Sequence, residues 1–216
     1  NRWMVCGPFE RQMRFTPVTL EGEVNTWLIE GFSIHENPCR TEYVQERRAK
    51  VPSYTFADEL PAVGEVREEE GQRRVWRLAM PWDNPRVELS GFWYVPTRLV
   101  TYAVTEINVK ESRTWEMTLR TCGAATLWVN GELAVDFVAY TRNREQQISF
   151  SVDLRQGLNR FEIRFEDLAE RDTQYYFRLD VKENEDFTIA LPVGGVEPQQ
   201  LLELEQALEA AYIENE

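Results

Sequence analysis

The stretch "QISFSVDLRQGLNRFEIRFED", residues 147–167, contains two runs with the same strict two-residue period. In the first, Ile148, Phe150, Val152 and Leu154 alternate with Ser149, Ser151 and Asp153. In the second, Phe161, Ile163 and Phe165 alternate with Glu162, Arg164 and Glu166. Successive side chains of an extended chain point to opposite faces, so each run predicts a strand with one apolar face. Between them, Gly157 permits a tight reversal and Asn159 can bond its own neighbouring backbone before the next strand starts.

Working outward, the same period recurs in "RTWEMTLRT" (113–121), where Trp115, Met117 and Leu119 share a face, and again in "YYFRLDV" (175–181). "ATLWV" and "ELAVDF" are joined by Asn130-Gly131. A two-residue hairpin needs positive φ at both central positions, which Asn and Gly tolerate best, so this pair predicts a type I′ turn and not a chemical group. By alternation, Leu127 and Val135 face one way and Trp128 the other. Short connections with no helical pattern between strands exclude βαβ units and predict an all-β antiparallel sandwich of the jelly-roll type.

The N-terminal 73 residues are less regular. "WMVCGPF" (3–9) and "NTWLIEGFSI" (25–34) read as strands, whereas 37–73, with Pro38, Pro52, Pro61 and "EVREEEGQ", reads as long loops with one or two strands. After Gly194-Gly195 and Pro198, Leu201, Leu204, Leu208 and Ala211 recur at helical spacing. The expected organisation is a sandwich over 1–192, elaborated over about 1–73, followed at 193–216 by a linker and the first helix of a following domain.

The chain of 216 residues is 43% hydrophobic and carries a net charge of -13. The densest cationic run, "ERRAK" (46–50), is short, so nucleic acid and anionic membrane surfaces are disfavoured as partners. No apolar run approaches the ~20 residues of a transmembrane helix. Cys6, Cys39 and Cys122 form no CxxC pair, which argues against zinc; read as free thiols, with no visible signal peptide, they lean towards a reducing, cytoplasmic compartment. His35, in "FSIHENP", is the single histidine and reads as a strand-end residue. No metal site, cofactor or catalytic residue is assigned. Asp136, in "AVDFV", is the most enclosed carboxylate in sequence and reads as bonded to a turn or neighbouring strand.

The run "LVTYAVTEINVKESRTWEMTLRTCGAATLWVNGELAVDF" (99–137), followed by "ISFSVDLRQGLNRFEIRFED", resembles the galactose-binding-domain-like β-sandwich modules of bacterial modular glycoside hydrolases. The "WVNGE" hairpin and the "GLNR" turn carry the likeness, and "WMVCGPF" resembles an opening strand of such proteins. The resemblance covers about 98–182 and says little of 35–90. It implies a non-catalytic accessory module that binds glycan or braces an adjacent catalytic domain. Of these, bracing is favoured, because no exposed aromatic row is legible. Structural calcium occurs in related sandwiches, but no DxDxDG-like spacing is present.

Sugar recognition combines an aromatic face with amide, guanidinium or carboxylate hydrogen bonds. The aromatic candidates are Trp82, Trp93, Tyr94, Trp128, Tyr140, Tyr175 and Tyr176. The loop "AYTRNRE" (139–145), where the resemblance places ligand contacts, adds Arg142, Asn143 and Arg144. Two rivals remain: a glycoside hydrolase in its own right, which needs two carboxylates about 5–9.5 Å apart in a cleft, and a protein-interaction domain.

Overall fold

The structure, a computed structural model, describes residues 2–13, 38–80, 84–182 and 186–213. The strand expected over 25–34, His35 and Trp82 lie outside them. The strands are β1 (Trp3–Gln12), β2 (Val66–Glu69), β3 (Gln72–Val75), β4 (Arg77–Ala79), β5 (Val87–Glu88), β6 (Gly91–Val109), β7 (Arg113–Thr121), β8 (Ala124–Val129), β9 (Glu132–Val138), β10 (Gln146–Leu154), β11 (Gly157–Thr173), β12 (Tyr176–Val181) and β13 (Phe187–Ile189). Two helices, α1 (Pro38–Ala49) and α2 (Pro198–Ile213), flank them.

All pairings are antiparallel. A seven-stranded sheet runs β4-β1-β6-β11-β8-β9, with β13 also paired to β6; a four-stranded sheet runs β10-β7-β12-β5; β2 and β3 form a separate hairpin. The two larger sheets face each other as a jelly-roll sandwich. Phe161, Ile163 and Phe165 of β11 meet Trp115, Met117 and Leu119 of β7 in the core between them, with Leu127, Leu154 and Phe177. Phe165 stacks on Tyr175 at 4.3 Å. Burying each such side chain contributes about 1.5–3 kcal/mol.

The turn at Asn130-Gly131 has φ of 52° and 80°, the positive pair of a type I′ turn. Asn130 does more than tolerate that φ. Its amide donates to Asn159 Oδ1 (3.0 Å) and accepts from the Arg160 backbone (3.0 Å), tying the β8–β9 hairpin to the start of β11. Asn159 in turn accepts from Arg155 N and donates to Arg155 O and Gly157 O.

The outer face of the large sheet is covered as well. Met4, Cys6, Phe9, Val100, Tyr102, Val104 and Trp128 form a second core under Phe56, Trp76, Leu191 and Val193. The expectation of loops and strands over 37–73 is corrected here: helix α1 opens that region, and β2–β3 follow. Among its described side chains the apolar stripe is Tyr43 and Val44, packed on Ala124, Tyr140 and Leu168, so the helix leaves almost no periodic signal. Leu201 and Leu208 of α2 pack on the second core, and Glu205 accepts from Leu191 N at 2.8 Å. No helix among the described residues is long and apolar enough to cross a membrane.

Candidate functional site

The aromatic candidates divide by exposure. Trp128 does face away from Leu127, but it is buried edge-on against Tyr54 and Phe56, with ring centroids 5.8 and 5.9 Å away. Tyr140, Tyr175 and Tyr176 are buried too. None of these four rings is available as a stacking face. Trp93 is half-buried and donates from Nε1 to Glu10 (3.1 Å). Tyr94 is 90% exposed, and Phe92, two residues earlier on the same face of β6, is 51% exposed. The two rings stand 4.9 Å apart at 66°. Phe92 was not singled out in sequence, because "GFWYVP" reads as an unbroken aromatic run with no polar alternation.

The 139–145 loop is brought to the same end of the molecule. Asn143 donates to Asp172 O (2.8 Å) and accepts from Gln174 N (2.6 Å), while Arg142 donates to Glu170 O (3.2 Å). Asp172 is the register partner of Phe92, and Arg171 that of Trp93. The loop is therefore strapped to the strand beside the exposed rings. Tyr140, Arg142 and Asn143 all take positive φ, and Arg144 is exposed. Arg142, Arg144 and Arg171 place cationic side chains around this end of an otherwise acidic chain.

The root of that loop is held by a buried charge cluster. Glu166 accepts from Tyr43 (2.5 Å), from Arg47 (3.0 Å) and from Arg164, and Arg98 stands 3.6 Å away. Arg47 also grips both oxygens of Asp136 (2.5 and 3.0 Å) and donates to Thr126 (2.7 Å). The expected neighbouring-strand bond of Asp136 is present as Thr126 Oγ1 donating at 2.7 Å. Tyr140 donates to Tyr43 at 3.1 Å, so α1 reaches the loop root through this chain. Burial alone would raise the Glu166 carboxyl, but Arg164, the Tyr43 hydroxyl, Arg47 and Arg98 outweigh it and hold it below the usual range. Tyr43 is pushed up to about 12, first by burial and then by the Glu166 charge.

A groove crosses the outer face of the large sheet where the 54–68 segment lies over β6 and β11. One compartment of about 430 Å³ includes Phe56, Arg67, Trp76, Arg160 and Glu162 in its lining. A second of about 380 Å³ includes Tyr54, Asp58, Glu106, Arg160 and Glu162. Glu162 is 1% exposed and accepts from the Tyr54 hydroxyl at 2.9 Å. Among the described residues it has no cation within ion-pair distance, and burial is the main cause that raises its carboxyl. Arg160 bridges the groove, donating to Glu106 (3.3 Å) and to Asp58 O (2.6 Å). Sequence reading missed Glu162 because it takes the polar position of a regular alternation.

Cys6 and Cys122 are free and buried, and Cys39's side chain lies outside the described residues. Among the described residues no group of three His, Cys, Asp or Glu is arranged to hold a metal ion.

The sequence matches no protein-family model and no curated protein. Among solved structures, the chain is similar to a family 35 carbohydrate binding module from an environmental isolate, at 17% identity over 48% of this chain and 77% of that one (TM-score 0.32). It is also similar to a β-glucosidase from Kluyveromyces marxianus in complex with glucose, at 11% identity over 61% of this chain (TM-score 0.40), and to a GH31 α-xylosidase from Xanthomonas citri, at 15% identity over 59% (TM-score 0.39). The match spans 18% of the first enzyme and 15% of the second.

Proposed function

We propose that this chain is a glycan-binding accessory module of a modular glycoside hydrolase or related carbohydrate-active protein. The observation that carries the reading is the exposed Phe92–Tyr94 pair beside the strapped 139–145 loop. A tyrosine 90% exposed on a strand gains little for folding. It offers a flat apolar face of the kind that stacks on the C–H side of a sugar ring, and the loop strapped to the neighbouring strand carries the exposed donor Arg144. The sequence resemblance of residues 98–182 supports the same context. The role of bracing a catalytic domain, with α2 leading into that domain after about residue 192, belongs to this proposal too.

The test is titration of the chain against a glycan panel, with Tyr94→Ala as the main variant. Loss of stacking at an exposed ring is expected to weaken binding roughly three- to tenfold. Tm should hold, because Tyr94 contributes nothing to either core. Undiminished affinity in Tyr94→Ala would remove the platform from the reading. Failure of the wild-type chain to bind any glycan would leave bracing alone.

A further inference from the structure

We infer that the groove between the 54–68 segment and the outer face of the large sheet is a second ligand site, taking one hydroxyl-rich ring of about the size of a single sugar residue, with Glu162 as its central acceptor. The inference is independent of the Tyr94 platform; Tyr54, Phe56 and Trp76 lie outside the stretch that carries the sequence resemblance, and Arg160 and Glu162 lie within it.

Space comes first. The two compartments, about 430 and 380 Å³, adjoin at Arg160 and Glu162, within the range of small-molecule sites. Phe56 and Trp76, in the lining of the larger, are buried in the second core, whereas Tyr54 in the smaller is 39% exposed, so a ring compound meets an apolar face there.

The polar groups then select the ligand. A carboxylate offers about four acceptor positions, and Glu162 uses one, for Tyr54. Arg160, lining both compartments, donates from Nε to Glu106 and from Nη1 to Asp58 O, and its Nη2 makes no hydrogen bond among the described residues. The groove therefore has acceptor capacity and donor capacity unspent at once. A simple anion would meet Asp58, Glu59, Glu65, Glu68 and Glu106 around the opening and be repelled. A simple cation would answer Glu162 but leave the Arg160 donor unmet and face its charge. A neutral ring bearing several hydroxyls, each both donor and acceptor, answers both.

The experiment uses the full chain carrying Tyr94→Ala, so that the first site is disabled. Methyl glycosides of glucose, galactose, mannose and xylose are screened by saturation-transfer NMR and titrated, with putrescine as a cationic control. At least one glycoside is expected to bind. Adding Glu162→Gln should weaken it about fivefold, Glu162→Leu more than tenfold, and Tyr54→Phe about threefold, with circular dichroism unchanged. Absence of glycoside binding, or undiminished binding after Glu162→Leu in a folded chain, overturns the inference. Binding of putrescine in place of the glycosides also overturns it, because the groove is then an amine site. These outcomes leave the platform reading standing, since that is scored on the chain with Tyr94 intact.

Discussion

Strands β10 and β11 are written alike and buried differently. In β10 Ile148, Phe150 and Val152 are half-buried and Leu154 is buried, while Ser149, Ser151 and Asp153 stay in water. In β11 the residues in the equivalent polar positions are Glu162, Arg164 and Glu166, only 1%, 9% and 1% exposed. The four-stranded sheet is a layer with one wet side. The seven-stranded sheet is the middle layer of three, with the 43–80 region and α2 over its outer face. Two-residue periodicity reports which residues share a face, but it cannot say whether water or protein covers that face. In β11 the covering is largely built from charge: α1 docks through Arg47 onto Glu166 and Asp136, beside the short Tyr43–Val44 stripe.

The difference can be broken most sharply at its charged centre. Glu166→Ala leaves Arg47, Arg98 and Arg164 without their shared counter-ion, and should cost about 3–5 kcal/mol in urea unfolding. Glu116→Ala, on the wet side of β7 where Ser151 donates to it at 2.5 Å, should stay within about 0.5 kcal/mol. If the two substitutions cost alike, the outer face of the large sheet is open to solvent in solution.

How far this was legible follows the same division. Strands β7 to β12, the Asn130-Gly131 turn and the inward set Trp115, Leu127, Phe150, Ile163 and Phe165 were readable, because each rests on local period or turn chemistry. The direction of Trp128 was readable; its cover was not, because Tyr54 and Phe56 arrive from 74 and 72 residues away. Helix α1 was hidden by its charged sequence. Of the site, the 139–145 loop was readable as a loop. Its fastening by Asn143 and its neighbour Phe92 were not, since both depend on the register of β6 with β11.

A second comparison sits within β11 itself. Glu162 and Glu166 share one face, yet their carboxyls are shifted in opposite directions. Glu166, held low, adds stability above the unfolded carboxylate value, which is lost as pH falls through its folded value. Glu162, held high, favours the folded chain in acid, and that contribution is lost as pH rises from the unfolded value through its folded one. Glu162→Gln removes the second dependence only. Relative to wild type, the variant should gain stability as pH climbs through that window and show a constant difference on either side. A difference that is flat from pH 3 to 8 would mean that Glu162 is solvated in the folded chain.

The smallest effects lie where the covered and uncovered regions meet. Asn130→Gly keeps the positive φ that the turn requires, so it isolates the amide clamp to Asn159 and Arg160 from the backbone preference. The half-buried clamp should be worth about 1 kcal/mol, since each hydrogen bond nets about that and water replaces part of it. Ser149→Ala, which loses one exposed bond to Thr118 (3.1 Å), should fall within about 0.5 kcal/mol. Both are read as shifts in urea midpoint at constant slope. The ordering matters more than either value, because the Asn130 amide joins the β8–β9 hairpin to the strand carrying both Glu162 and Glu166, whereas Ser149 joins two strands whose outer face is already wet. A larger loss at Ser149 than at Asn130 would show that the four-stranded sheet, and not the covered one, holds the sandwich in register.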